Sequence, residues 1–389
     1  MAAAPPFLRG GFRPFFLGGA AWGLIALTLW LLILNGLFVL PSRLEPLSWH
    51  RHEMLFGFVG AVIAGFLLTA IPNWTGRLPI AGKPLAALAG LWFAARIAVL
   101  FSAVTGAWTA AVLDVGFILV LAFVGAREVR AAKNRNLAIV GVVLLFGIAD
   151  ALDHAAANGV ISDSGIGIRA GIALVVIMIS LIGGRITPSF TRNWMVKHGI
   201  AHGLPTQPGQ FDILVIASTA VAMLGWVLVP DDTKVGVMIL IAALMQFLRL
   251  ARWGGVRARR DPLVLILHVG YAWIPVGLLL LGLKIAGVTI PQTAAIHALT
   301  AGAMATMILA VMTRASLGHT GRELKANGPT TAIFILITAG AVLRVGTALQ
   351  PSYNQTLILL SGLAWGAALL LFLIVYAPVL WGPRFGDRD

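Results

Sequence analysis

Long apolar runs alternate with short polar interruptions along the chain. Most of the runs approach the ~20 residues that a helix needs to cross the hydrocarbon core of a bilayer. Twelve can be read, at residues 15–39, 53–72, 84–102, 108–126, 137–157, 168–187, 211–229, 235–250, 262–284, 291–313, 329–349 and 355–380. The seventh and eighth are parted only by the turn from Pro230 to Lys234. The pattern predicts an all-α polytopic membrane protein of about twelve transmembrane helices, one integral domain over residues 1–389 with no sizeable soluble part. No small-residue cleavage site follows a short apolar core near the start, so the first run is expected to remain as a helix.

Composition supports this picture. Of 389 residues, 59% are hydrophobic and 11% are charged, against about 25% charged in soluble domains. The mean hydropathy is +0.94. So little charge cannot solubilise the surface, so lipid is the expected solvent and partner. With no cysteine, disulfides, thiolate metal sites and cysteine nucleophiles are excluded, and any metal must be held by His, Met or carboxylate.

The net charge of +14 raises nucleic-acid binding, but the placement of the basic residues argues against it. Of the 28 Lys and Arg, only Arg43, Arg51, Arg96, Arg169, Lys234, Lys284 and Arg344 fall on one side of the alternating loops and helix ends. The others fall on the opposite side. Cytoplasmic loops carry the basic excess, so both termini are expected in the cytoplasm, and the charge is mainly a topology signal.

The chain also resembles itself. His52–Arg77 aligns without a gap on His297–Arg322, pairing Gly57 with Gly302 and Thr75-Gly76-Arg77 with Thr320-Gly321-Arg322. The end of the sixth run, Gly184–Thr191, aligns on Thr313–Thr320, which sets Pro188 opposite Pro72. Equivalent second, sixth and tenth helices imply three four-helix pseudo-repeats, near residues 1–130, 131–260 and 261–389.

Ionisable groups inside membrane helices are costly and usually functional, which singles out the histidines. His52 and His297 occupy matching places near the outer ends of the second and tenth helices. Small residues follow each, Gly57, Gly60, Ala61 and Ala64 after the first, and Ala301, Gly302, Ala303 and Ala305 after the second. Small faces let helices or a flat cofactor approach closely. Two neutral imidazoles at one depth can ligate a heme iron from its two faces; the alternative is a pair of polar residues bonded across a helix interface. His50 points away from His52 if both are helical, and is a candidate for a second metal or a cap. His268 is a further metal candidate, but lies ~9 Å from the cytoplasmic end by helical rise, nearer the face opposite His297. His154 stands with Asp150 and Asp153 near the outer end of the fifth helix, where structural and functional readings both stand.

Arg96 and Arg344 hold corresponding positions in the third and eleventh helices. A buried guanidinium needs a partner. Glu53, Asp114 and Asp150 are the acidic candidates, a cofactor carboxylate such as a heme propionate is another, and snorkelling to the outer surface is the third possibility.

The strings Trp49-His50-Arg51-His52-Glu53-Met54-Leu55-Phe56-Gly57, Pro72-Asn73-Trp74-Thr75-Gly76-Arg77 and Met312-Thr313-Arg314-Ala315-Ser316-Leu317-Gly318-His319-Thr320-Gly321-Arg322 resemble the NnrS family. Phe12-Arg13-Pro14-Phe15-Phe16 and His297-Ala298-Leu299-Thr300-Ala301-Gly302 carry the same resemblance, which covers essentially the whole chain. It implies a bacterial inner-membrane protein with heme b and copper, made under denitrifying or nitrosative conditions and linked to nitric oxide. It implies binding or reduction of nitric oxide, in the latter case as a nitric oxide reductase-like enzyme fed by an electron donor that the sequence does not name. The plan is similar to heme–copper oxidases, yet the sixth helix lacks His and no adjacent His pair follows in the seventh, so their three-His copper site has no counterpart. A transporter or carrier of a metal, heme or small solute is the alternative; paired His without paired carboxylates speaks for the redox reading.

A reporter fused after Asp389 should be cytoplasmic, and one inserted between Pro230 and Lys234 should lie outside. Finding both on one side would sink the twelve-helix count.

Overall fold

A computed structural model describes residues 4–350 and 354–386. Among these residues every regular element is helical. Twelve helices are long and apolar enough to cross a membrane: α1 Phe12–Leu34, α2 Pro46–Thr75, α3 Lys83–Leu100, α4 Ala107–Ala131, α5 Leu137–Ala157, α6 Ile166–Lys197, α7 Gln210–Leu228, α8 Thr233–Ala251, α9 Pro262–Ile285, α10 Gln292–His319, α11 Gly328–Leu349 and α12 Gln355–Trp381. A helix satisfies all its backbone groups internally, which lipid requires of any spanning segment.

The helix ends follow local chemistry. Pro46, Pro262 and Pro329 sit in the first turns of α2, α9 and α11, where no amide partner is lost. Asp232, Asp261 and Asn327 cap α8, α9 and α11 by accepting backbone N–H bonds. The repeated Thr-Gly-Arg motif is a stop signal. Gly76 and Gly321 both take left-handed backbone, φ +67° and +73°, just past α2 and α10, a conformation that glycine enters without a Cβ penalty.

Two boundaries differ most from expectation. α2 begins at Pro46 rather than at residue 53, and α6 runs on to Lys197 rather than ending at 187. In both, polar residues extend the helix beyond the apolar run, before it in α2 and after it in α6, so hydropathy alone cuts it short. Arg13, expected in a loop, is buried in the first turn of α1, where its Nη1 donates to the carbonyl oxygens of Leu380 (2.9 Å) and Gly382 (2.5 Å).

Three spans contain a π-helical stretch: Glu53–Val59 in α2, Ile179–Gly183 in α6 and Ala298–Met304 in α10. Those in α2 and α10 are seven residues each and start directly after His52 and His297; the five-residue stretch in α6 lies at the middle of its helix. A wide turn loosens the backbone ladder, and two of the three recruit help from a neighbouring helix. Trp92 Nε1 donates to the Gly57 carbonyl at 3.0 Å, and Arg249 Nη1 to the Ser180 carbonyl at 2.8 Å. π-turns of this kind cluster at functional sites.

The chain forms two compact units. One comprises the residues up to Gly171 together with Ala315–Glu323 and the chain from Leu369 on; the other comprises Ile172–Arg314 and Leu324–Ala368. The second unit is organised around a buried ion pair. Arg249 Nε donates to Asp212 Oδ1 at 2.7 Å, and its Nη1 also reaches Tyr271 Oη at 3.0 Å. Tyr271 donates to Gln246 Oε1, and Gln246 Nε2 donates to the hydroxyls of Ser180 and Thr219. This network ties α6, α7, α8 and α9 together. Removing one partner of a buried pair strands the other charge, at about 3–5 kcal/mol. Asp212→Asn should therefore lower the melting temperature in detergent clearly, whereas the double change Asp212→Leu with Arg249→Met should recover much of the loss. Equal melting temperatures for wild type and Asp212→Asn would refute this role.

Candidate metal centre

The first unit buries a group of charged side chains carried by four consecutive helices. α2 supplies His52 and Glu53, α3 Arg96, α4 Asp114, and α5 Asp150, Asp153 and His154. All are buried, most of them completely. Each stands within about two turns of the nearer end of its helix, so the chain's up-and-down path brings them to one level.

His52 is held from both sides. Its Nδ1 lies 2.8 Å from Asp153 Oδ2 and its Nε2 lies 2.7 Å from Asp114 Oδ2. Asp150 Oδ1 is 3.9 Å from the same Nε2. His154 Nε2 faces the same two acids, 3.3 Å from Asp114 Oδ2 and 3.8 Å from Asp150 Oδ1. The two imidazole rings meet edge to face with centroids 4.7 Å apart.

Arg96 offsets part of this negative charge. Its Nη1 donates to Glu53 Oε2 at 2.7 Å and its Nη2 to Asp114 Oδ1. Trp22 Nε1 of α1 also donates to Glu53 Oε2, at 2.5 Å. Gly57, in the π-helical stretch, makes room for this contact. A Cβ at Gly57 would overlap the Glu53 carboxylate and lie 2.6 Å from Arg96 Nη1. One guanidinium thus serves a cluster of four carboxylates.

Asp150 is the group left over. It is fully buried, and neither of its oxygens accepts a hydrogen bond. A buried carboxylate without a donor costs several kcal/mol unless a cation compensates it. Its oxygen, one oxygen of Asp114 and one ring nitrogen each of His52 and His154 all lie within 4.8 Å of one another. Two imidazoles and two carboxylates, with bond lengths of ~2.0–2.2 Å, are a standard donor set for a divalent transition metal.

The family model described as NnrS protein matches residues 6–384. The chain belongs to the NnrS family. Comparison with curated proteins finds no match. NnrS membership fits a membrane protein related to nitric oxide, and the buried His/Asp group could hold a metal ion.

The other candidates raised by the sequence lie elsewhere. His50 is not beside His52: the helix has already started at Pro46, and His50 stacks on Trp30 with centroids 4.5 Å apart. In the second unit, His268 Nε2 lies 2.8 Å from Thr191 Oγ1, and its ring packs edge-on against Trp253. His297 is half-buried, with Nδ1 2.7 Å from the Thr293 carbonyl oxygen. Arg344 is half-buried in α11, and no ion pair links it to a carboxylate among the described residues. Arg96, by contrast, pairs through Nη1 with Glu53 and through Nη2 with Asp114, while its buried Nε has no partner. The sequence sets His154 with Asp150 and Asp153, and offers Glu53, Asp114 and Asp150 as partners for a buried arginine, but does not join these two groups to His52. The signal that unites them is depth: each is an ionisable residue close to the helix ends facing the same side.

In chelator-treated protein, Asp114→Asn should lower thermal stability, by about 3–5 kcal/mol, because Arg96 loses a charged partner. Asp150→Asn should leave stability unchanged or raise it, because it removes a buried charge that has no donor. A large loss of stability in Asp150→Asn would show that this side chain has a structural partner after all.

Proposed function

We propose that this NnrS-family chain is a metal-bearing protein of the bacterial inner membrane that binds or reduces nitric oxide during denitrification or nitrosative stress, with heme b and copper as cofactors. The carrying observation is the dry group of His52, Asp114, Asp150 and His154, in which two imidazoles and an undonated carboxylate converge. A bound heme or copper would supply an open coordination position for the diatomic and a route for single electrons.

The protein's own residues provide the setting. Asp153 orients the His52 ring, Arg96 fixes the Glu53 and Asp114 carboxyl groups, and packing of the helices buries the group. In such a site each charge acts more strongly than in water. Reduction would combine two nitric oxide molecules, two electrons from an external donor and two protons into nitrous oxide and water.

One observation favours a second reading, a carrier of a metal or small solute. Four buried carboxylates beside a π-widened spanning helix also resemble an ion pathway. A single preparation separates the two. Purified protein should contain heme and copper by metal analysis and a reduced-minus-oxidised spectrum. Nitric oxide should shift the absorption of the dithionite-reduced protein, and nitrous oxide release with a donor present would identify an enzyme. A colourless protein that ignores nitric oxide and moves metal into proteoliposomes would overturn the redox reading.

A further inference from the structure

His52 and His297 are the two histidines that the internal repeat sets in register, and each is followed at once by a seven-residue π-helical stretch. Their surroundings nevertheless differ in kind. We infer that the two serve different metals: His297 is an axial ligand to heme iron, and His52 is a ligand to a separate divalent ion together with Asp114, Asp150 and His154. This rests on the reading of the protein as a heme- and metal-bearing one.

The proton positions carry the inference. A carbonyl oxygen can only accept, so His297 must carry its proton on Nδ1 to bond Thr293. In a neutral ring the lone pair is then on Nε2, and no described group bonds to that atom. Arg344 stands near His297 on the neighbouring helix, and no carboxylate of the described residues pairs with it. An imidazole lone pair beside a guanidinium without a counter-ion matches an iron macrocycle that carries propionates. The helix face itself is small and apolar, with Ala294 and Ala298 packed near Val345 and Trp273.

His52 shows the opposite arrangement. Its two ring nitrogens each face a carboxylate, so neither looks onto a surface open to a flat macrocycle. The contact of Nδ1 with Asp153 matches the outer carboxylate of a carboxylate–histidine–metal triad, which with an ion bound would hold the proton on Nδ1 and leave Nε2 for the metal. Nε2 faces the space shared with His154, Asp114 and Asp150, where the ion would replace the proton between it and Asp114. Nitrogen and oxygen donors without sulfur favour a borderline divalent ion, such as copper(II) or zinc, over copper(I). Asp153 is a positioning residue in this scheme, and Asp150 a direct ligand.

The test uses the full-length protein purified in detergent, with monodispersity checked for every variant. Heme is measured as the pyridine hemochrome, and the second metal by elemental analysis after incubation with cupric or zinc salt and removal of excess. His297→Ala should lose heme about tenfold or more and keep the divalent ion, and His297→Met should move the heme bands rather than abolish them. Asp150→Asn and His52→Ala should lose the ion and keep heme with unchanged bands. Asp153→Asn should weaken ion binding about 10- to 100-fold without touching heme.

Loss of heme in His52→Ala, with Asp150→Asn retaining it, would establish ligation of one iron by both histidines and overturn the division. Full ion content in a well-folded Asp150→Asn would overturn the ligand set. Wild-type protein that holds the ion but no heme would instead fail the wider functional reading, and the His297 assignment with it.

Discussion

Arg96 is the point on which the first unit turns. It lies at zero exposure in a spanning helix, between Glu53 and Asp114. Burying a guanidinium is tolerable only if its donors are met, and burying four carboxylates together is tolerable only if cations meet them. Arg96 meets the first condition through its two terminal nitrogens, leaving Nε without a partner, and through Glu53 and Asp114 it meets half of the second. α1 to α4 are fastened by this exchange: Trp22 and Arg96 both donate to Glu53 Oε2, Arg96 also donates to Asp114, and Gly57 is kept bare so that the guanidinium can approach. The charge that remains uncompensated collects at Asp150, where two imidazole rings already converge. A site of unmet charge surrounded by packed apolar helices is held open by the same forces that hold the helices together.

Much of the fold was legible in the sequence because lipid imposes a simple rule. Apolar runs of about twenty residues become spans, and all twelve runs did so. The rule works less well where polar residues continue a helix, as at His50–His52 and Arg185–Lys197. There the chain keeps its backbone bonds although hydropathy has fallen, so α2 and α6 are longer than expected. The Thr-Gly-Arg repeat was visible as a pattern, but its meaning as a left-handed helix stop required the backbone angles.

The candidate centre was legible only in pieces. Apolar run length placed Asp114 and Asp150 inside helices and His52 at the outer end of one; the cost of buried charge singled out the histidine and offered the two acids as partners for a buried arginine. It could not show that Asp114 lies between Arg96 and both histidines, because sequence gives depth along a helix but not rotation about it. The matched positions of His52 and His297 suggested matched roles. Matched position in a repeat fixes the backbone, while the neighbours that decide a ring's tautomer come from other helices and need not repeat. The expectation that histidine would occur without clustered carboxylates was likewise a statement about single helices, and it gave way once α2, α4 and α5 were placed together.

The π-helical stretch that follows His52 has a consequence for how such a centre tolerates change. Its wider turns alter the angular phase between the residues before Glu53 and those after Val59. Residues ahead of the stretch answer to the charged cluster, whereas those beyond it answer to the packing of ordinary apolar helices. Losing one residue from the stretch would let the common ladder close, and because the wide turns hold one extra residue for nearly the same rotation, His52 would nearly keep its phase relative to everything downstream. The helix would still span, and its hydropathy would be unchanged. The seven residues would therefore act as a buffer of length, in which one residue can be lost without turning His52 away from the centre, whereas the same loss in an uninterrupted α-helix would rotate one end against the other by about 100°.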